Sequence, residues 1–477
     1  MNQSERKEQS GVSVKRTPTA RAGVLAALAL AAVAGPAVSS AAIPVVPGLV
    51  GYGTTTPAGR GGTVYRVTTL AESGAGSLKA CIDQKGPRVC VFEVSGTIKL
   101  SDHLRVRNPY LTIAGQTAPS PGIMLRGASL IIKTSDVLVQ HLRIRPGDDP
   151  SGPSPDNRDA LRIEGDSGAP IVKNVVIDHC SFSWSIDEMA SAWQNWDNIT
   201  LSNNIFSEPL NDSLHPKGPH GYGILMGPVD GHYTMSSNLL AHMVERNPLT
   251  NATHAVIVNN VIYNWKNMAV DLQSQSRKPT NNTIIGNVFI KGADYKSNSP
   301  VELRADSTNG VPSGTKVYLE DNKAVEATND PWSVASAMFG TLTLSNYKAN
   351  TPPSWPSGMT RLPTSGDVTL NQVLKYSGAR PADRDAVDKR VVNDVRNGTG
   401  RIINCVSDDG SARCKLNGGG WPSMANNKRT LTLPSNPDAV TSSGYTNLEL
   451  WLQRMAAEVE GRSPTTPKAP VLATGTE

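Results

Sequence analysis

A right-handed parallel β-helix, closed at one end by an N-terminal cap helix and flanked by C-terminal peripheral helices, is the all-β fold predicted by three features of this 477-residue sequence. A short apolar theme built around one polar position recurs from about residue 110 to 325. Its repeats stand too far apart for consecutive hairpins without long loops. The composition also favours turns, with 42 glycines, 34 prolines and 34 asparagines against only 24 Phe, Trp and Tyr.

The repeat reads VLVQHLRI (His141), VVIDHCSF (His179), ITLSNNIF (Asn204), YTMSSNLL (Asn238), VIVNNVIY (Asn260), TIIGNVFI (Asn287) and VYLEDNKA (Asn322). Its polar positions are separated by 38, 25, 34, 22, 27 and 35 residues. A base period of 22 to 27 residues, with insertions in some turns, is the mark of a solenoid. Pairing each strand with its equivalent one turn later removes the need for hairpins, and stacked amides then bond from turn to turn. Asp178 and His179 read as members of this ladder rather than as ligands. Insertions in the longer turns place a binding surface on one side of the coil.

Each flank has its own part. Residues 42–349 form the coil, whose open end is covered by a short helix around Ser77 to Cys81, since an open end exposes strand edges. Residues 350–365, rich in Pro, Ser and Thr, are a linker or a wrapping loop. Residues 366–460 pack on the coil through helices, one apolar on Val387, Val391, Val392 and Val395, another on Leu448, Leu450, Leu452 and Met455. Residues 461–477 read as a disordered tail. At the other end, Lys15, Arg16 and Arg21 precede an apolar run from Ala22 to Gly35, then small residues up to Ala41 and Ala42. Residues 1–41 are therefore expected to be a signal peptide, too short in its apolar part to span a bilayer, and the mature protein to be secreted and extracellular.

Removal of that leader changes the charge. Of the formal +5, residues 1–41 hold five Lys/Arg against two Asp/Glu, leaving +2, too little to imply nucleic-acid binding on charge alone, and no nucleic-acid partner is expected. No membrane contact is expected after cleavage, and the chain is expected to be a monomer. Export makes disulfides available: Cys81 with Cys90 and Cys405 with Cys414 close short loops, free buried thiols being the alternative, and Cys180 is left as a small core hydrophobe.

The segments GYG, NRDALRI, VVIDHCSFSW, HGYGILMG, RNPL and VNNVIYNW, in that order, resemble secreted polysaccharide lyases of the pectate lyase superfamily, in the branch related to bacterial pectate trisaccharide-lyases. The resemblance covers roughly residues 48 to 325. It implies cleavage of α-1,4-polygalacturonate, an acidic polysaccharide, by β-elimination. That reaction removes the C5 proton beside a carboxylate while the C4 oxygen leaves, and a hard cation such as Ca2+ on the carboxylate eases it.

By the same resemblance Asp159 and Asp187 match calcium ligands, with Glu188 beside them, and Arg246 matches the catalytic arginine that takes the proton. A guanidinium is ordinarily a poor base, its usual pKa exceeding about 12, so this role is implied by the resemblance alone. Lys217 and His220 are suited to substrate carboxylates, the histidine when protonated. Of Trp184, Trp193, Trp196 and Trp265, at most one is expected to stack on a sugar. Three positions depart from the family pattern: Ser191 stands for a second calcium aspartate, Asn251 for a second arginine, and Tyr222, counted with Lys217 and His220 as substrate-binding, for a substrate-binding lysine unless Lys217 supplies it from the same loop. Two other functions remain open at this level. A glycoside hydrolase on the same scaffold would need clustered carboxylates such as Asp148 with Asp149 or Asp408 with Asp409; a non-catalytic glycan-binding solenoid would need none.

Overall fold

The computed structural model describes residues 43–166, 168–296 and 298–463. The expected signal segment and the tail beyond residue 463 lie outside the described residues. Strands gather into three sheets of ten, nine and eight, and from the second turn until the last strand each sheet takes every third strand of the chain. Every pairing between these strands is parallel, as in Val175–Asp178 against Ile199–Ser202. A chain that visits three parallel sheets in rotation is a β-helix, and parallel crossovers wind right-handed.

Sequence periodicity becomes packing through register. Cys90, Ile113, Val139, Ile177, Leu201, Met235, Ile257, Ile284 and Leu319 stack as direct partners through nine successive strands of the ten-stranded sheet. All nine lie in the continuous core inside the coil. Fully buried aliphatic side chains contribute roughly 1.5–3 kcal/mol each, so the column is a major source of stability. Phe182 and Phe206 stack in the same way, ring centroids 4.9 Å apart.

The amide ladder runs through Asn204, Asn238, Asn260, Asn287 and Asn322. Each later amide oxygen accepts from both the backbone N–H and the side-chain Nδ2 of the asparagine one turn before, at 2.9–3.1 Å. The two histidines are not part of it, which corrects the sequence reading. Cys180, not His179, donates its N–H to Asn204 Oδ1. His141 and His179 occupy the corner just before the ladder, where the chain turns with positive φ (58° and 50°), as it does at Asn203, Ser237, Asn259 and Asp321. Asp178 also differs from expectation: it accepts from the side chains of Gln140, Ser202 and Asn203.

Helix Leu78–Ile82, N-capped by Ser77, covers the first turn, and the Cys81–Cys90 disulfide ties it to the strand Arg88–Phe92. Cys405 and Cys414 form the second disulfide, and Cys180 is free and buried. Ser354 to Leu362 lie along the ten-stranded sheet, where Thr283 Oγ1 donates to Ser354 O and Asn259 Nδ2 to Leu362 O. Helices Val368–Tyr376 and Ala386–Asn397 bury Val373, Leu374, Val391, Val392 and Val395 against Ile205, Leu239 and Val261 of the eight-stranded sheet. The buried guanidinium of Arg145 locks that contact with Asp385 and Asp388. In helix Asn447–Glu460, Leu448 and Leu452 are buried as expected, but Leu450 is half-buried and Ala456, Ala457 and Val459 complete the inner face.

Candidate functional site

Four site residues precede four consecutive strands of the nine-stranded sheet. Asp159, Glu188 and Tyr222 each stand two residues before Leu161–Glu164, Ala190–Trp193 and Ile224–Met226, and Arg246 stands three before Leu249–Thr250. Those strands pair in that order, so the solenoid brings residues far apart in sequence to one corner. The corner is built locally too. The buried Arg158 guanidinium donates to the carbonyls of Gly147, Asp149 and Pro153, and its own carbonyl accepts from Ile186 N, which holds the Asp159 and Asp187 segments together.

Asp159, Asp187 and Glu188 offer carboxylate oxygens within 4.8 Å of one another. Ser191 donates its hydroxyl to Asp159 Oδ2, and Arg246 Nη1 pairs with Glu188 Oε1. Burial, reinforced by the charges of Glu188 and Asp187, holds the Asp159 carboxyl well above the usual range. Burial also raises Asp187, and burial with the charge of Asp187 lifts Glu188 to about 7 despite Arg246. Three acids that resist ionising together, beside one guanidinium, make a site short of positive charge. An all-oxygen set of this kind fits a hard divalent cation, which accepts six to eight oxygens in flexible geometry.

Beside the acids a ring stack leads to Arg246. His215 and His220 lie parallel at 3.7 Å, Tyr222 is 4.1 Å from His220, and the Arg246 guanidinium sits 4.1 Å above the Tyr222 ring. His220 Nε2 stands 2.9 Å and His215 Nε2 3.6 Å from Asp187 Oδ1. Burial pushes His220 down to about 4, which works against its holding a substrate carboxylate as a cation. Tyr222 lies beneath Arg246 and fixes its plane. Lys217 is exposed on the same loop, and its charge favours ionised Asp187. Trp184, Trp196 and Trp265 are buried, whereas Trp193 is 36% exposed at the end of its strand, where the Gly227 backbone passes its ring.

Two features were missed in the sequence. His215 shares the HPKGPH segment with His220 and was passed over. Asp271 and Glu302 face each other on adjacent strands with Arg304 beside them, and burial lifts them to about 6 and about 7. Their signal was an acid at the outward position of two aliphatic strands, VDL and VELR. Asn251 is buried, with its Oδ1 accepting from Gln275 N. The acid pairs considered for hydrolysis are engaged in loop turns: Asp148 accepts from Val406 N, Asp149 from Ser151, Asp408 from Gly410 N and Asp409 from Ser411 N.

No protein-family model matches the chain. A curated relative from Aspergillus fumigatus, named "Probable pectate lyase C", is 32% identical over 425 residues, covering 86% of this chain and 93% of its own. The protein of the same name from Aspergillus oryzae is 31% identical over the same share of this chain and 94% of its own. Among solved structures, pectate lyase II of Xanthomonas campestris aligns with a TM-score of 0.46 at 16% identity, over 71% of this chain and all of that one. On a relative this similar over nearly its whole length, the chain belongs to the pectate lyases, a family of polysaccharide lyases.

Proposed function

We propose that this pectate lyase is secreted, requires calcium and cleaves α-1,4-polygalacturonate by β-elimination to unsaturated oligogalacturonates. The observation that carries the reading is the convergence of Asp159, Asp187 and Glu188 within 4.8 Å, next to Arg246. Two disulfides support an oxidising, extracellular setting, and no helix among the described residues is long and apolar enough to cross a membrane.

Asp159, Asp187 and Glu188 are the residues that would hold calcium. Bound there, calcium would draw charge from a uronate carboxylate and so acidify the neighbouring C5 proton. Ser191 keeps the Asp159 carboxylate aimed inward. Arg246 is the base in this reading: Glu188 anchors its Nη1, Tyr222 supports its plane, and its buried Nε makes no hydrogen bond to the protein. The base removes the C5 proton, the C5–H electron pair becomes the C4=C5 double bond, and the C4–O pair leaves with the glycosidic oxygen, which takes up a proton. A guanidine accepts a proton only in its neutral form, so the rate should rise into the alkaline range. Lys217 supplies a point charge for a second uronate, and Trp193 an exposed ring for a sugar face.

The test is to incubate the mature protein with polygalacturonate and follow ultraviolet absorbance of unsaturated uronides. Unsaturated product that disappears with Arg246→Ala supports the reading. Reducing ends without unsaturation would make the protein a hydrolase, binding without product would make it a lectin-like solenoid, and undiminished product from Arg246→Ala would remove the catalytic assignment.

A further inference from the structure

At the corner between the ten- and eight-stranded sheets, two histidines and a glutamate meet with zero side-chain exposure. His141 and His179 hold the same corner on adjacent turns, each next to the paired residues Gln140 and Asp178, and both have positive φ. Their rings therefore stack, 5.3 Å apart and 19° from parallel. Both Nε2 atoms point to the carboxylate of Glu460, the last residue of helix Asn447–Glu460, and the ligand atoms of the three lie within 4.8 Å of one another.

We propose that His141, His179 and Glu460 form a transition-metal site, with zinc as its occupant, that fastens the C-terminal helix to the coil. Separations come first. His141 Nε2 is 3.4 Å from Glu460 Oε1 and His179 Nε2 is 3.8 Å from Glu460 Oε2. A hydrogen bond would close to about 2.9 Å. Ligands at about 2.0–2.1 Å from a tetrahedral zinc stand about 3.3 Å from each other. Both imidazoles and the two oxygens of a bidentate Glu460 supply four donors.

The outer contacts point the same way. His141 Nδ1–H donates to Ala379 O at 2.8 Å, which leaves the Nε2 lone pair facing Glu460. His179 Nδ1 is 3.0 Å from Asp178 Oδ1, and neither ring nitrogen of this fully buried side chain makes a hydrogen bond. An acceptor or carboxylate behind each ligating imidazole is the usual support of a metal-bound histidine. Charge also favours a cation. Asp178 adds a second carboxylate beside His179, and Arg462 Nε stands 3.3 Å from Glu460 Oε2. Glu460 lies at a helix C-terminus that has no basic residue in its last turn, where the helix dipole itself prefers positive charge. Imidazole donors select zinc and its neighbours over calcium, so this site is chemically distinct from the three-carboxylate one.

The full mature chain should be saturated with zinc, passed into metal-free buffer and analysed for metal, and crystals of the same material measured at the zinc absorption edge. One zinc per chain is expected in the wild type, with an anomalous peak between His141 Nε2, His179 Nε2 and Glu460, and none retained by Glu460→Gln. Absence of retained zinc in the wild type would overturn the proposal and leave a plain histidine–carboxylate contact. Zinc retained equally by Glu460→Gln, or a peak elsewhere such as at His215 and His220, would overturn it too. Should Glu460→Gln prove insoluble, the position of the wild-type peak decides.

Discussion

Ser191→Asp would place a fourth carboxylate where the chain now has a hydroxyl hydrogen-bonded to Asp159. Like charges at the 4.8 Å that bounds the existing acids repel by about 3 kcal/mol at an effective dielectric of 20, counted for the new carboxylate against one ionised neighbour because the acids resist ionising together. Loss of the charge-assisted bond from Ser191 removes about 2 kcal/mol more. In a chelator at pH 8 the variant should therefore be about 5 kcal/mol less stable than the wild type. Bound calcium turns the effect of the added charge from repulsive to attractive. Calcium at a hundredfold excess over its Kd stabilises a protein by about 2.7 kcal/mol. At the same concentration the variant should gain about 1.4 kcal/mol beyond that, corresponding to a tenfold tighter site. Urea denaturation in chelator and in calcium, for both proteins, measures the two gaps. A calcium gap in Ser191→Asp equal to or smaller than that of the wild type would refute the reasoning that these carboxylates form a cation site.

Other perturbations test the scaffold and its supports. Asn238→Ala removes four hydrogen bonds, to Asn204 N, Asn204 Nδ2, Leu201 O and Asn260 Oδ1, in a fully buried place, and should cost about 4 kcal/mol in denaturant midpoint analysis; a cost under about 1 kcal/mol would contradict the ladder's role. Glu302 is lifted from its ordinary 4.5 to about 7 by burial and by Asp271. Its folded form holds the proton more tightly than the unfolded one, so stability is greatest below pH 4.5 and falls as pH rises towards 7. Glu302→Gln should therefore stabilise by about 2 kcal/mol at pH 8, after allowance for solvent screening, and hardly at all at pH 4.5; an equal effect at both would contradict the assignment. Arg158→Met strands the carbonyls of Gly147, Asp149 and Pro153 and should lower kcat more than tenfold by loosening Asp159, about 1.4 kcal/mol or more in barrier; unchanged kinetics would show that Asp159 does not need this support.

Much of the coil was legible because its grammar is local. Five asparagines follow apolar triplets at turn-length spacing, and all five stack. The histidines were misplaced by one residue because a left-handed corner and a ladder position are adjacent, and both accept a polar side chain. Asp159, Asp187, Glu188 and Arg246 could be named from motifs, and the structure brings them together. The stack of His215 on His220, the support of Arg246 by Tyr222 and the burial of His220 depend on how one loop folds over the corner, which no spacing encodes. Glu460 meets His141 across 319 residues of sequence, so their contact is a product of tertiary docking alone.

The most direct measurement is the rate of unsaturated product formation from polygalacturonate against free calcium, for the wild type and Glu188→Gln at alkaline pH. Wild-type activity should vanish in chelator and return with calcium. The variant should need about tenfold more calcium for its half-maximal rate, the equivalent of about 1.4 kcal/mol of lost binding. Product formation that persists in chelator, or calcium curves that superimpose, would contradict the account.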